Sequence, residues 1–203
     1  EANTLISVDL ISSAINNDRE KYGEDEYIGL DPARYGGDRA CFVYRKGNYA
    51  EVLEKIESSD TMELAGKAIV WLGRYPKARL RIDIIGLGVG VYDRLKEQPK
   101  VSARVEGVNV AKPATDTEGF INLRAEAWDD TREWLRDAVL EEDEDWYQLA
   151  QPKMKTTSTG KLQLESKEDM RKRGIKSPDV ADALVLTIAR ATEGGEFMML
   201  MAD

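Results

Sequence analysis

Leu80-Arg81-Ile82-Asp83-Ile84-Ile85 runs straight into Gly86-Leu87-Gly88-Val89-Gly90, and the apolar residues Val91, Tyr92 and Leu95 follow. The alternation predicts a strand, the glycines a turn, and the residues beyond them a helix. Val105 to Val110 predicts another strand. Upstream, Tyr27-Ile28-Gly29-Leu30, Ala40 to Tyr44 and Tyr49 to Ile56 read as three short strands, with a Lys46-Gly47-Asn48 turn between the last two. That spacing predicts an antiparallel meander. Asp60 reads as the N-cap of a helix from Thr61 to Arg74. Three strands together, followed by strands alternating with helices, predict an α/β fold: a mixed sheet with helices on both faces.

The rest of the chain extends this plan. Asn122 to about Leu140 predicts an amphipathic helix carrying Ala127, Trp128, Trp134, Leu135, Ala138 and Val139. Two strands, Trp146 to Met154 and Lys161 to Glu165, flank the polar turn Thr156-Thr157-Ser158-Thr159-Gly160. Pro178 opens a helix reaching Ala191, with proline at its first turn. Residues 1–25 read as an arm whose apolar start gives way to a wholly polar stretch. Trp128 and Trp134 read as core packing at helical spacing.

Composition narrows the chemistry. The 203 residues suit one domain with a short arm. Cys41 is the single cysteine and histidine is absent, which excludes a disulfide framework, a structural zinc, a Ser-His-Asp triad and imidazole acid–base catalysis. No apolar run approaches the roughly 18 residues of a membrane span, and no charged-then-apolar leader opens the chain. These features point to a reducing, cytoplasmic setting. The net charge of −9 has the wrong sign for a simple nucleic-acid coat. Its distribution is uneven: Glu141 to Asp145 are all acidic, whereas Lys153 to Lys176 hold eight Lys and Arg against three acids.

Three carboxylate positions stand out. Asp31 ends an apolar strand before Pro32, where a turn residue or a functional group would serve. Asp83 lies inside an apolar strand, where an ionised carboxylate needs Arg79, Arg81 or a metal as partner. Asp179 and Asp182, at i and i+3, share one side of the first turn of the last helix. Either could be a cap on the helix dipole, and Asp182 is the less easily explained that way. Carboxylates without histidine suit hard divalent ions such as Mg²⁺ or Mn²⁺. Two such ions about 4 Å apart activate water and stabilise the leaving oxygen in phosphodiester cleavage. The basic segment would hold the phosphate backbone. The glycine turn lacks the Lys-Ser/Thr of a P-loop, so nucleotide hydrolysis by that route is excluded.

Four ordered motifs carry a resemblance. They are Gly29-Leu30-Asp31-Pro32-Ala33 with Gly36-Gly37-Asp38-Arg39, then Ile82 to Leu95, then Phe120 to Trp128, then Ser177 to Leu184. Over residues 26–192 the chain resembles the nuclease domain of a tailed-phage terminase large subunit, the DNA-packaging motor. The resemblance implies an RNase H-like fold and endonucleolytic cutting of concatemeric viral double-stranded DNA during packaging. It implies metal binding by Asp31, Asp83 and Asp182, with Asp179 as a fourth ligand, and two Mg²⁺ or Mn²⁺ ions. It also implies a β-hairpin beside the active site whose basic residues contact DNA: Lys153, Lys155, Lys161 and Lys167, continued by Arg171, Lys172 and Arg173. The terminase small subunit and the portal are the expected partners in the full motor, acting in the host cytoplasm. No Walker A motif is present, and Glu1 stands where Met would begin a chain. Residues 1–25 are therefore expected to be a linker from a missing ATPase domain, with the nuclease over 26–203. Asn122, Arg124 and Glu126 read as structural, with Arg124 a lesser candidate for a phosphate or ion-pair contact, and Asp38 as a turn residue. Two other functions share these features: another RNase H-like nuclease such as a junction resolvase, and a non-catalytic DNA- or portal-docking module.

Overall fold

The computed structural model describes residues 4–32 and 39–190, and the first three expected strands form within it. These are β1 (Glu26–Asp31), β2 (Ala40–Lys46) and β3 (Tyr49–Ile56), paired antiparallel in sequence order. Gly47, at φ 54°, makes the tight turn between β2 and β3, and any side chain there would strike the Tyr22 carbonyl. Next, β4 (Arg79–Asp83) joins β1 in parallel, with Ile28 opposite Leu80 and Leu30 opposite Ile82. On its far side β5 (Val105–Val108) joins β4, also in parallel. A two-residue β6 (Val139–Leu140) closes the other edge, so the sheet order is β5-β4-β1-β2-β3-β6.

Side chains alternate across a strand, so β2 feeds two cores at once. Phe42 and Tyr44 pack with Leu64, Ala68 and Leu72 of α2 (Thr61–Arg74) and with Val91 and Leu95 of α3 (Leu87–Lys96). Those two helices are also the crossovers that parallel pairing requires. Asp60 caps α2 as its sequence predicts: its Oδ1 accepts from Met62 N at 2.8 Å and Glu63 N at 3.3 Å. Cys41 and Val43 face the opposite core, against α4 (Leu123–Trp134) and α6 (Asp179–Ile188). Asn122 caps α4 by accepting from Ala125 N at 3.0 Å, the structural part read for it.

Several expectations are corrected. The N-terminal stretch does not stand off as an arm. Leu5, Ile6, Ile11 and Ala14 are buried in the α4/α6 core, with α1 (Val8–Ile15) between a Ser7 cap and Asn16. Burying four apolar side chains outweighs the cost of ordering so short a helix. The long helix stops at Trp134 rather than Leu140, because Val139 N and Glu141 N donate to the Asn48 and Ala50 carbonyls and make an edge strand. Trp146 to Ala150 belong to a 3-10 turn (Glu144–Ala150) rather than a strand. Trp146 there is fully buried, and its indole N–H donates to the Glu141 carbonyl at 2.7 Å. The hairpin shortens to β7 (Met154–Thr156) and β8 (Leu162–Leu164). A helix that no periodicity predicted, α5 (Lys167–Lys172), follows it behind a Ser166 cap. Pro178 is the N-cap of α6, one position before the expected first turn.

Candidate active site

Two of the four singled-out acids are neighbours by register. Leu30 stands opposite Ile82 in a parallel pair, so Asp31 and Asp83, the last residues of β1 and β4, leave the sheet side by side at the same edge. Functional groups collect at such carboxyl ends because the chain turns away and opens space. After Asp83 the turn is made by Gly86, at φ 77°, and Asp83 Oδ1 accepts from Ile85 N at 2.9 Å. The other two acids arrive on α6, which lies directly on β1. Gly29 permits that approach, since a methyl group there would overlap the Ala183 carbonyl. Asp31, Asp179 and Asp182 are all buried.

The four acids line one cavity of about 650 Å³. Arg124 and Lys167 enter the same cavity. Lys167 Nζ lies 2.8 Å from Asp182 Oδ2 and 3.5 Å from Asp31 Oδ2. Arg124 spans two elements: Nη1 donates to the Glu165 carbonyl at 2.7 Å, while Nη2 lies 3.9 Å from Asp182 Oδ1 and makes no hydrogen bond among the described residues. Asp179 Oδ2 accepts from the Arg39 backbone N–H at 2.9 Å. Neither Arg79 nor Arg81 partners Asp83 in the way its sequence allowed. Both arginines bind Glu106, and Arg81 also reaches the last carbonyls of α6.

Charge in this cavity is unbalanced. Burial is the main cause that lifts the Asp31 carboxyl well above its ordinary range, and Asp182, Asp83 and Asp179 add to it, while Lys167 pulls the other way. For Lys167, burial works against the charge, but Asp182 and Asp31 outweigh it and raise its pKa. Four acids against three cations, Arg124, Lys167 and Arg171, still leave a deficit of one charge that a bound cation would fill. The donors are all oxygen and all anionic, which is the chemistry of a hard divalent ion. Among the described residues no three metal-binding side chains are gathered around one point, and the Lys167 ammonium stands between two of the acids instead. The donor set therefore fits such an ion once Lys167 withdraws.

The expected DNA-contact residues divide. Lys167 stands among the acids, away from the hairpin surface where its sequence placed it. Lys153 and Lys155 are exposed on the hairpin and Lys161 is half-buried. Arg171 lines the acid cavity. Lys172 pairs with Glu168 and Asp169, and Arg173 with Glu165 at 2.6 Å, so these two already spend their charge on neighbouring acids. Glu126, fully buried, is structural: it accepts from Thr115 N and Asp116 N. Trp128 is buried as expected and also lines the cavity. Asp38 lies outside the described residues. Sequence reading underweighted Arg124, although it sits one helical turn before Trp128 on the same face of α4.

No family model matches the chain, and no curated protein matches it. Solved structures do. The nuclease domain of the large terminase subunit gp2 of bacterial virus Sf6 superposes with a TM-score of 0.80 at 19% identity, covering 93% of this chain and 99% of that one. The chain has the fold of a phage terminase nuclease domain. A lysine-to-alanine variant of the Sf6 domain, solved with manganese, matches at TM-score 0.79 and 17% identity, covering 93% of this chain and 100% of its own. The large terminase nuclease of thermophilic phage G20c with bound magnesium matches at 0.66 and 14%, over 93% and 97%. This terminase-nuclease fold, with its six-stranded mixed sheet and helices on both faces, is the RNase H-like architecture that the sequence motifs implied.

Proposed function

We propose that this chain is a metal-dependent endonuclease domain that hydrolyses phosphodiester bonds of concatemeric double-stranded viral DNA during genome packaging. The observation that carries the reading is the meeting of Asp31, Asp83 and Asp182 in one cavity at the carboxyl end of parallel strands, on a terminase-nuclease fold. Mg²⁺ or Mn²⁺, as two ions, would supply an activated water and charge stabilisation at the leaving oxygen. Asp31, Asp83 and Asp182 would hold them. Asp179, its carboxylate engaged by the Arg39 amide, serves first to fix the helix start and second as a ligand. Arg124 and Lys167 stand where a phosphate entering the cavity would meet them, Arg124 nearly buried and Lys167 partly exposed. Lys153, Lys155, Lys161 and Arg171 would grip flanking phosphates, with Lys172 and Arg173 contributing less because their own acids hold them.

The ATPase domain, the small subunit and the portal would be the partners of this domain in the assembled motor, in the host cytoplasm. The overall charge of −9 makes affinity for free DNA weak and leaves delivery of the duplex to that assembly. The test is digestion of supercoiled plasmid with Mn²⁺, Mg²⁺ or EDTA, with the parent beside Asp83→Ala. Cleavage that needs metal and is lost in the variant is expected. A parent that leaves plasmid intact in Mn²⁺ at high protein concentration would overturn the reading.

A further inference from the structure

Helix α6 carries Asp179 and Asp182, yet its own residues cap neither end. Pro178 precedes it and offers no side-chain acceptor. The first N–H groups of a helix need partners, and here a distant side chain supplies one. Gln148, in the 3-10 turn, accepts through Oε1 from Val180 N at 2.9 Å and Ala181 N at 3.4 Å. At the other end, Arg81 Nη1 donates to the Thr187 and Ala189 carbonyls at 3.1 and 2.7 Å, and Arg45 Nη2 donates to Thr187 O at 3.0 Å. The height of α6 on the sheet is therefore set by side chains of other elements.

The Gln148 carboxamide has one orientation. Its Nε2 donates to Asp145 Oδ1 at 3.1 Å, which leaves Oε1 for the helix. Asp145 is anchored in turn by Lys55 at 2.6 Å and Arg39 at 2.9 Å. Arg39 closes the circuit, because its backbone N–H holds Asp179 Oδ2. Gln148 is buried, so its amide has little water to turn to.

We infer that Gln148 is a positioning residue of the acid site: oriented by Asp145, it caps the first turn of α6 and fixes where Asp182 stands against Asp31 and Asp83. The inference rests on the nuclease reading, since it is toward metal binding that the position matters. Partners of this kind, which orient ligands without touching the ion, are worth about 10- to 100-fold in metal affinity.

The full chain is titrated with Mn²⁺ by calorimetry near pH 8, with thermal melts and amide exchange at Val180 and Ala181 alongside. Gln148→Met fills a similar volume without the acceptor. It is expected to weaken Mn²⁺ binding at least about tenfold and to speed exchange at both amides. Leu72→Ala, in the core across the sheet, lowers Tm at least as far and keeps affinity within about twofold, so lost stability alone does not explain the effect. If Gln148→Met binds Mn²⁺ like the parent, the positioning role is overturned and the nuclease reading stands. A parent that binds no Mn²⁺ overturns both.

Discussion

Lys167→Ala should tighten divalent-metal binding, although it removes a residue from the middle of the site. The ammonium lies 2.8 Å from Asp182 and 3.5 Å from Asp31, so an ion shared by those two carboxylates must first displace it. A full-strength pair at this range is worth about 5–6 kcal/mol at an effective dielectric near 20. The Lys167 side chain is 34% exposed, however, and solvent screens it while the desolvation of Asp31 and Asp182 offsets part of the attraction. A net cost of about 1–3 kcal/mol for displacing it follows, which corresponds to a gain of about 5- to 150-fold in affinity for the variant. The gain depends on pH. Lys167 opposes the burial that lifts the Asp31 carboxyl, so without it Asp31 holds its proton to still higher pH, and metal must compete with that proton. The advantage is therefore largest above neutrality and shrinks as pH falls. Calorimetric titration with Mn²⁺ at several pH values, parent beside Lys167→Ala, reads both effects. Equal or weaker binding by the variant at the highest pH would refute the displacement argument and make Lys167 a support for the acids rather than a competitor for their place.

Asp31→Asn should raise the metal-free Tm near neutral pH. A carboxyl whose folded pKa exceeds its unfolded value costs stability as pH rises between the two, and the amide removes that cost; a variant melting no higher than the parent at any pH would contradict the assignment. Asp145 behaves oppositely: burial raises its pKa, but Lys55 and Arg39 outweigh that and hold it below the ordinary range. Its contribution is thus present above the unfolded pKa and fades as pH falls through the folded one, so Asp145→Asn should flatten the acid limb of a Tm-versus-pH curve. Gly29→Ala forces a methyl group into the Ala183 carbonyl, and a loss of about 2–4 kcal/mol in chemical denaturation is expected, with Mn²⁺ affinity falling as α6 lifts from β1. Arg81→Met removes a buried cap from the end of the same helix and should cost about 2–4 kcal/mol, read by the same denaturation.

What could be read from the chain and what could not follows the range of the forces involved. Asp31 and Asp83 were legible because a two-residue period breaks at each of them. The break is local, and so is the Asp60 cap. The end of α4 was not legible: Ala138-Val139-Leu140 continue an apolar helical pattern, and only the Asn48 and Ala50 carbonyls, far off in sequence, recruit those residues to the sheet. Trp146 to Ala150 failed for a related reason, since a buried indole fits a strand or a 3-10 turn equally well and the Glu141 carbonyl decides. Gln148 shows no local sign of its task. Its partners are Val180 and Asp145, and a single glutamine between Tyr147 and Leu149 carries no pattern that names them. Lys167 was counted as one charge in a basic run, while the fold gives it a separate address among the acids.

That address matters because acids and cations belong to different parts of the molecule. Asp31 and Asp83 are fixed by strand register, and Asp182 by a helix held at both ends. Lys167 opens α5, two residues beyond Glu165, and Glu165 ties the hairpin together: its carboxylate takes the Lys153 N–H and the Arg173 guanidinium, and its carbonyl takes Arg124. The acid cluster is thus built on the sheet and α6, whereas the cation standing among the acids is carried by the short hairpin-and-helix unit. Moving that unit by the length of one hydrogen bond changes the charge balance of the cavity without bending a strand. Removing Lys167 should therefore alter metal affinity far more than it alters the sheet, and a variant that loses stability in step with its change in metal binding would show that the two parts are one.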